Sequence, residues 1–91
     1  MSRVTINELD AIVKRINEST GNPTSYCTKT DNGYKINVGN YHLDGAYGGY
    51  ALVQTVSDGG GIRAVIPRGT KRELRDAMYV YLQGMQDAKD N

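Results

Sequence analysis

Two short stretches of sequence, Thr5-Ile6-Asn7-Glu8 and Thr70-Lys71-Arg72-Glu73, mark the beginnings of two helices. In each stretch the threonine hydroxyl can accept a hydrogen bond from the backbone N–H three residues on. The glutamate can accept one from the N–H of the threonine in return. This capping box is typical of a helix N-terminus, so the two stretches predict a helix near each end of the chain.

The first helix is predicted over residues 6–20. Apolar residues recur there at three- and four-residue spacing and form one apolar stripe, which would face a core. Gly21 can adopt the left-handed conformation that often follows a helix, and Pro23 cannot continue it. The stripe consists of Ile6, Leu9, Ile12, Val13 and Ile16.

The second helix is predicted over residues 71–85. Its apolar residues also follow helical spacing, but Gly84 weakens the last turns. The polar residues 86–91 are expected to form a frayed tail. The stripe consists of Leu74, Ala77, Met78, Tyr81, Leu82 and Met85.

Between the helices the pattern changes to that of β-strands. Asp31-Asn32-Gly33 favours a tight hairpin turn, and the alternation of Tyr34, Ile36 and Val38 with polar residues favours a half-buried strand. Gly39-Asn40 indicates a bulge or tight turn in that strand, and three glycines at 59–61 indicate a loop. Strands are predicted over residues 25–30, 34–43, 50–56 and 62–66, the last ended by Pro67.

The order of elements, α-β-β-β-(β)-α, predicts an α+β fold in which an antiparallel sheet of three to four strands carries two helices on one face. The chain has 91 residues, and we expect residues 1–91 to form a single domain. Phe and Trp are absent, which leaves a thin core. Small domains with thin cores often gain stability by oligomerising, so a homodimer is one candidate state.

Composition also bears on where the protein works. The single cysteine, Cys27, cannot form an internal disulfide, which fits a reducing compartment. The chain carries neither an apolar run of membrane-spanning length nor the pattern of a signal peptide, so a cytoplasmic protein without a membrane partner is expected. The formal net charge of +1 gives no bulk attraction to nucleic acid.

Few residues suggest catalysis or metal binding. His42 is the only histidine, and Asp44 could orient it as a general base, although a strand residue beside a turn aspartate explains the pair as well. Cys27 could act as a nucleophile, but a half-buried strand cysteine is the simpler interpretation. A metal site needs three or four ligands, and the glycine runs lack nucleotide-binding spacing. We therefore expect no catalytic residue, no metal, no cofactor and no enzymatic activity.

Two features suggest binding instead. The segment 41–50 contains Tyr41, Tyr47 and Tyr50 among glycines, a mixture that is common in binding loops. The same tyrosines could equally fill the core in place of Phe. A basic cluster follows, consisting of Arg63, Arg68, Lys71, Arg72 and Arg75.

The basic cluster overlaps the start of the second helix. Lys71 and Arg72 lie in the first turn, where the helix dipole disfavours cations by about 0.3–1 kcal/mol each. A phosphate or a partner's carboxylate bound at this helix start would explain them. A solvated face balanced by Glu73 and Asp76 is the alternative.

The order helix, strands, helix, with Lys71, Arg72 and Arg75 at the start of the last helix, resembles double-stranded RNA-binding domains. That resemblance implies lysines and arginines contacting phosphates. The chain departs from the family because Asp31-Asn32-Gly33 replaces its Gly-Pro-x-His loop and because the whole chain is not basic. The resemblance is one of topology, which does not imply function.

Two further blocks resemble small accessory proteins encoded by tailed bacteriophages: residues 39–49, Gly-Asn-Tyr-His-Leu-Asp-Gly-Ala-Tyr-Gly-Gly, and residues 69–74, Gly-Thr-Lys-Arg-Glu-Leu. The resemblance implies a protein of the bacterial cytoplasm that binds and inhibits a host enzyme or defence complex. A non-enzymatic, phage-encoded interaction protein with a host protein as partner is therefore the leading hypothesis. The alternatives are a nucleic-acid-binding module and a binder of a small anionic nucleotide at a dimer interface.

Overall fold

A computed structural model describes residues 3–90 of the chain. It shows a helix, five antiparallel strands and a second helix, which confirms the predicted α+β class. Residues 1, 2 and 91 of the predicted domain lie outside the described residues. The elements are α1 (Ile6–Thr20), β1 (Cys27–Thr30), β2 (Gly33–Ile36), β3 (Tyr41–Ala46), β4 (Gly49–Thr55), β5 (Ile62–Gly69) and α2 (Lys71–Asp90).

The strands form two sheets, where the sequence predicted one. β1 and β2 form a separate hairpin, and β3, β4 and β5 form a three-stranded sheet in that order. The strand predicted over 34–43 is thus two strands. It breaks because Gly39 has a left-handed φ of 97°, and because the Asn40 side-chain amide donates to the Pro23 carbonyl at 2.8 Å.

The helix starts are those expected from the capping boxes. The Glu8 N–H donates to Thr5 Oγ1 at 3.2 Å, and the Glu73 N–H donates to Thr70 Oγ1 at 3.1 Å. α1 has the predicted bounds and ends at Gly21, whose φ is 72°. α2 differs from the prediction because it continues through residues 86–90 instead of fraying. Lys89 Nζ donates to the Ser19 carbonyl, which holds the last turns of α2 against α1.

The strand bounds differ in smaller ways. β1 begins at Cys27, and β4 covers Gly49–Thr55. β5 runs through Pro67 to Gly69, although the sequence predicted its end before the proline. β5 lies at the edge of its sheet, where a missing N–H can face away from the neighbouring strand and proline is tolerated.

Both helices pack on the three-stranded sheet, side by side and parallel. Glu8 near the start of α1 lies 4.0 Å from Arg75 near the start of α2, and Lys89 meets Ser19 near their ends. Asn17 ties α1 to the edge strand β3: its side chain donates to the Tyr41 carbonyl at 3.0 Å and accepts from the Tyr41 N–H at 2.8 Å. The buried core consists of Val4, Leu9, Ile12, Val13, Ile16, Tyr41, Leu52, Leu74, Met78 and Leu82.

The β1–β2 hairpin stands apart from this core. Its two strands pack against no other helix or strand among residues 3–90, and every residue from Thr28 to Lys35 is exposed. Tyr34 is 72% exposed on it. We call residues 27–36 the hairpin arm. In this same described part of the chain, neither helix is long and apolar enough to cross a membrane.

Candidate functional site

Tyr47 occupies an unusual position at the tip of the β3–β4 hairpin. Ala46 pairs with Gly49, so Tyr47 and Gly48 form a two-residue turn. Their φ angles are 51° and 75°, as a type I′ turn requires. Among the described residues other than glycine, Tyr47 alone has a positive φ, and its side chain is fully exposed. The chain thus holds a large aromatic residue in an unfavourable conformation where it contributes no burial.

Arg68 on β5 braces this hairpin. Its Nη1 donates to the backbone carbonyls of Asp44 at 3.0 Å and of Ala46 and Gly49 at 3.4 Å each. Its Nη2 lies 2.9 Å from the Asp44 carboxylate. Arg68 was predicted to contact a partner, but these bonds commit its guanidinium to the hairpin. It is a positioning residue for the turn that carries Tyr47.

The start of α2 lies at the same end of the sheet. Tyr50 pairs with Gly69, and a Cβ added at Gly49 would lie 3.0 Å from the Gly69 carbonyl oxygen. Lys71 and Arg72 follow in the first turn of α2. The hairpin turn and these two basic residues are therefore neighbours at one end of the domain. We call Tyr47, Lys71 and Arg72 the tip surface.

The negative charge nearest in sequence to these cations is committed to the helix cap. Glu73 Oε1 accepts from the Thr70 N–H at 2.9 Å. This backbone hydrogen bond, together with the bond to the Thr70 side chain, lowers the pKa of Glu73 below its usual value. The carboxylate is thus held at the backbone of the first turn, which already favours negative charge.

The other two tyrosines of the segment pack within the domain. Tyr41 is buried, and its hydroxyl lies 3.0 Å from that of Tyr81, an arrangement that fills the core. Burial, reinforced by the bond with Tyr81, raises the pKa of Tyr41 to about 12. The half-buried Tyr50 packs on the core. Its ring covers Gly45, because a Cβ added at Gly45 would lie 2.8 Å from Tyr50 Cε1. The packing of both residues agrees with the core-filling interpretation, and a contact with a partner stays a prediction.

Two predicted basic contacts are also engaged elsewhere. Arg63 donates twice to Gln54 Oε1, at 3.0 and 2.7 Å. Arg75 forms an ion pair with Asp76 at 3.0 Å and lies 4.0 Å from Glu8 on α1. The cluster that is continuous in sequence is therefore divided in space. Arg68 braces the hairpin that carries Tyr47, and Lys71 and Arg72 lie at the same end of the domain.

His42 lies beside a cleft of about 320 Å³ between α1 and β3. Its Nδ1 is 3.2 Å from Asn40 Oδ1, and its ring meets that of Tyr26 edge-on with centroids 4.9 Å apart. Asp44 pairs with Arg68 and does not orient the imidazole. Asp10 on α1 also lines this cleft. Within residues 3–90, no group of three or more His, Cys, Asp or Glu side chains could hold a metal ion.

A comparison of the chain with protein-family models, with curated proteins and with solved structures finds no match. These comparisons therefore supply no function for the chain.

Proposed function

We propose that this is a non-enzymatic interaction protein that binds another protein through the tip surface. The observation that carries the proposal is Tyr47: a fully exposed aromatic ring on a residue with φ of 51°. Strained residues that persist in a fold are often found where they make contact with ligands. An exposed tyrosine also offers a large contact area at a small entropic cost.

The charge beside Tyr47 indicates what kind of partner surface fits. The half-buried Lys71 and the exposed Arg72 lie in the first turn of α2, where the helix dipole disfavours cations. A partner carboxylate placed there would be attracted both by the two side chains and by the helix N-terminus. The partner is therefore a protein with an acidic patch next to a pocket for an aromatic ring.

The origin of the partner follows from the resemblance of residues 39–49 and 69–74 to small proteins of tailed phages. On this proposal the protein is phage-encoded, acts in the bacterial cytoplasm, and binds and inhibits a host enzyme or defence complex. Both blocks contribute residues to the tip surface, since Tyr47 lies in the first and Lys71 and Arg72 lie in the second.

The test begins with capture from bacterial lysate and identification of the bound protein, followed by measurement of binding with the purified partner. The double variant Tyr47→Ala/Arg72→Ala should abolish binding. The matched control is Tyr34→Ala/Lys35→Ala, which removes an exposed tyrosine and a cation from the hairpin arm. Binding that survives the first variant and is lost in the second would place the interface on the arm and refute the proposal.

The salt dependence of binding tests the nucleic-acid alternative. If Lys71 and Arg72 contact phosphates, affinity for RNA or DNA should fall steeply with salt concentration, as released counterions require. A flat salt dependence would remove this alternative. A small anionic nucleotide would instead raise the melting temperature of the protein alone in a panel of nucleotides.

A further inference from the structure

The face of α2 that points away from the core carries an exposed seam. Val80 is 74% exposed and Tyr79 is 44% exposed at the middle of the helix. A shallow groove of about 500 Å³ lies beside them, and Gly84 leaves it open, since an added Cβ there would meet nothing within 4 Å. The seam follows helical spacing and consists of Arg72, Asp76, Tyr79, Val80, Gln83 and Asp87.

The charges of this seam are complementary to those of a second copy of the seam that runs antiparallel to it. Around a point between Tyr79 and Val80, Asp76 corresponds to Gln83, and Arg72 corresponds to Asp87. Two copies aligned antiparallel would therefore bring an arginine against an aspartate at each end. Apolar side chains would meet in the middle.

We propose that α2 pairs antiparallel with α2 of a second copy of this chain, about a twofold axis between Tyr79 and Val80. A twofold interface uses the same patch on both copies, as this seam requires. The two helix dipoles also run in opposite directions in this arrangement. The helix start with Arg72 in one copy therefore lies near the helix end with Asp87 in the other. A parallel pairing would instead place the two Asp87 carboxylates together.

The occupant is a second copy because of this charge pattern. On the seam, Arg72 lies in the first turn of α2 and Asp87 lies in its last turns. The opposite charges at the two ends are bonded elsewhere, since Glu73 accepts from the Thr70 N–H and Lys89 donates to the Ser19 carbonyl on α1. The seam lies opposite the buried stripe of Leu74, Met78 and Leu82, so pairing leaves the core unchanged. This interface does not include Tyr47, but it shares Arg72 with the tip surface, so self-association is measured with the protein alone.

The experiment measures self-association of the purified full chain by sedimentation equilibrium over a wide range of concentration. We expect a concentration-dependent dimer that Asp87→Arg weakens by about tenfold or more, because like charges then meet at both ends. Adding Arg72→Asp to the same chain should restore the dimer. The two residues are 15 positions apart, about 22 Å along one helix, so they cannot compensate each other within a chain.

Far-UV circular dichroism establishes that each variant is folded. Val80→Glu, at the centre of the seam, should abolish the dimer, whereas Tyr47→Ala should leave it intact. A protein that stays monomeric at every concentration overturns the proposal. A dimer that Val80→Glu leaves unchanged, or that the charge exchange fails to restore in folded protein, overturns it as well.

Discussion

Replacing Tyr47 by Asn should stabilise the protein while destroying partner binding. Asn tolerates the left-handed conformation that the first position of a type I′ turn demands, and Asn-Gly is a preferred pair for such turns. The variant would convert Tyr47-Gly48 into this pair. It therefore removes backbone strain and the proposed contact residue in one step.

The magnitude follows from two features of the structure. The Tyr47 side chain is fully exposed, so its removal sacrifices no burial. Holding an L-residue other than Asn or Gly in the left-handed region costs about 1 kcal/mol. The free energy of unfolding should therefore rise by up to about 1 kcal/mol. In a domain of this size that raises the melting temperature by roughly 4–8 °C.

Urea and thermal denaturation, followed by circular dichroism, measure this change. Tyr34→Asn is the matched control, because it makes the same chemical change at an exposed strand position and should bring no gain. Gly48→Ala should act in the opposite direction, since Gly48 has a φ of 75°. If Tyr47→Asn leaves stability unchanged or lowers it, the backbone at residue 47 is not strained and the main support for the binding role is lost.

Two further predictions concern the junction of α1 with β3. Asn17→Ala should lower the free energy of unfolding by about 2–4 kcal/mol in urea denaturation, because it leaves the buried N–H and C=O of Tyr41 without partners. The raised pKa of Tyr41 favours its neutral phenol in the folded state. The contribution of this pKa shift to the free energy of unfolding is fully present below pH 10 and should be lost as the pH rises through about 12. Tyr41→Phe should show a smaller loss of stability over this interval.

Local patterns determined much of the fold. The capping boxes and the apolar stripes predicted both helix starts, because the bonds and spacings involved span only a few residues. The turn at Asp31-Asn32-Gly33 likewise depends on backbone preferences of its own residues. The extension of α2 was missed; its last turns contact α1 through Lys89 and Ser19, and no local pattern shows such a contact between distant parts of the chain.

The candidate site was only partly predictable. The sequence indicated that tyrosines and basic residues contribute to a binding surface. It could not distinguish the residues that are exposed from those that pack or bond within the domain. Tyr41 and Tyr47 lie six residues apart in similar surroundings, yet one is buried against Tyr81 and the other is fully exposed. Whether each tyrosine is buried depends on which residues from other parts of the chain pack against it, and no local pattern contains that information.

The sequence by itself determined two capped helices around an antiparallel β region, because caps, stripes and turns are set by neighbouring residues. The tertiary structure alone decided that the strand predicted over 34–43 divides between two sheets. It also decided that Arg68 braces the hairpin of Tyr47 while Lys71 and Arg72 share its end of the domain. These outcomes depend on hydrogen bonds between residues far apart in sequence, such as Arg68 with Asp44 and Asn40 with Pro23, which form only when the whole chain packs.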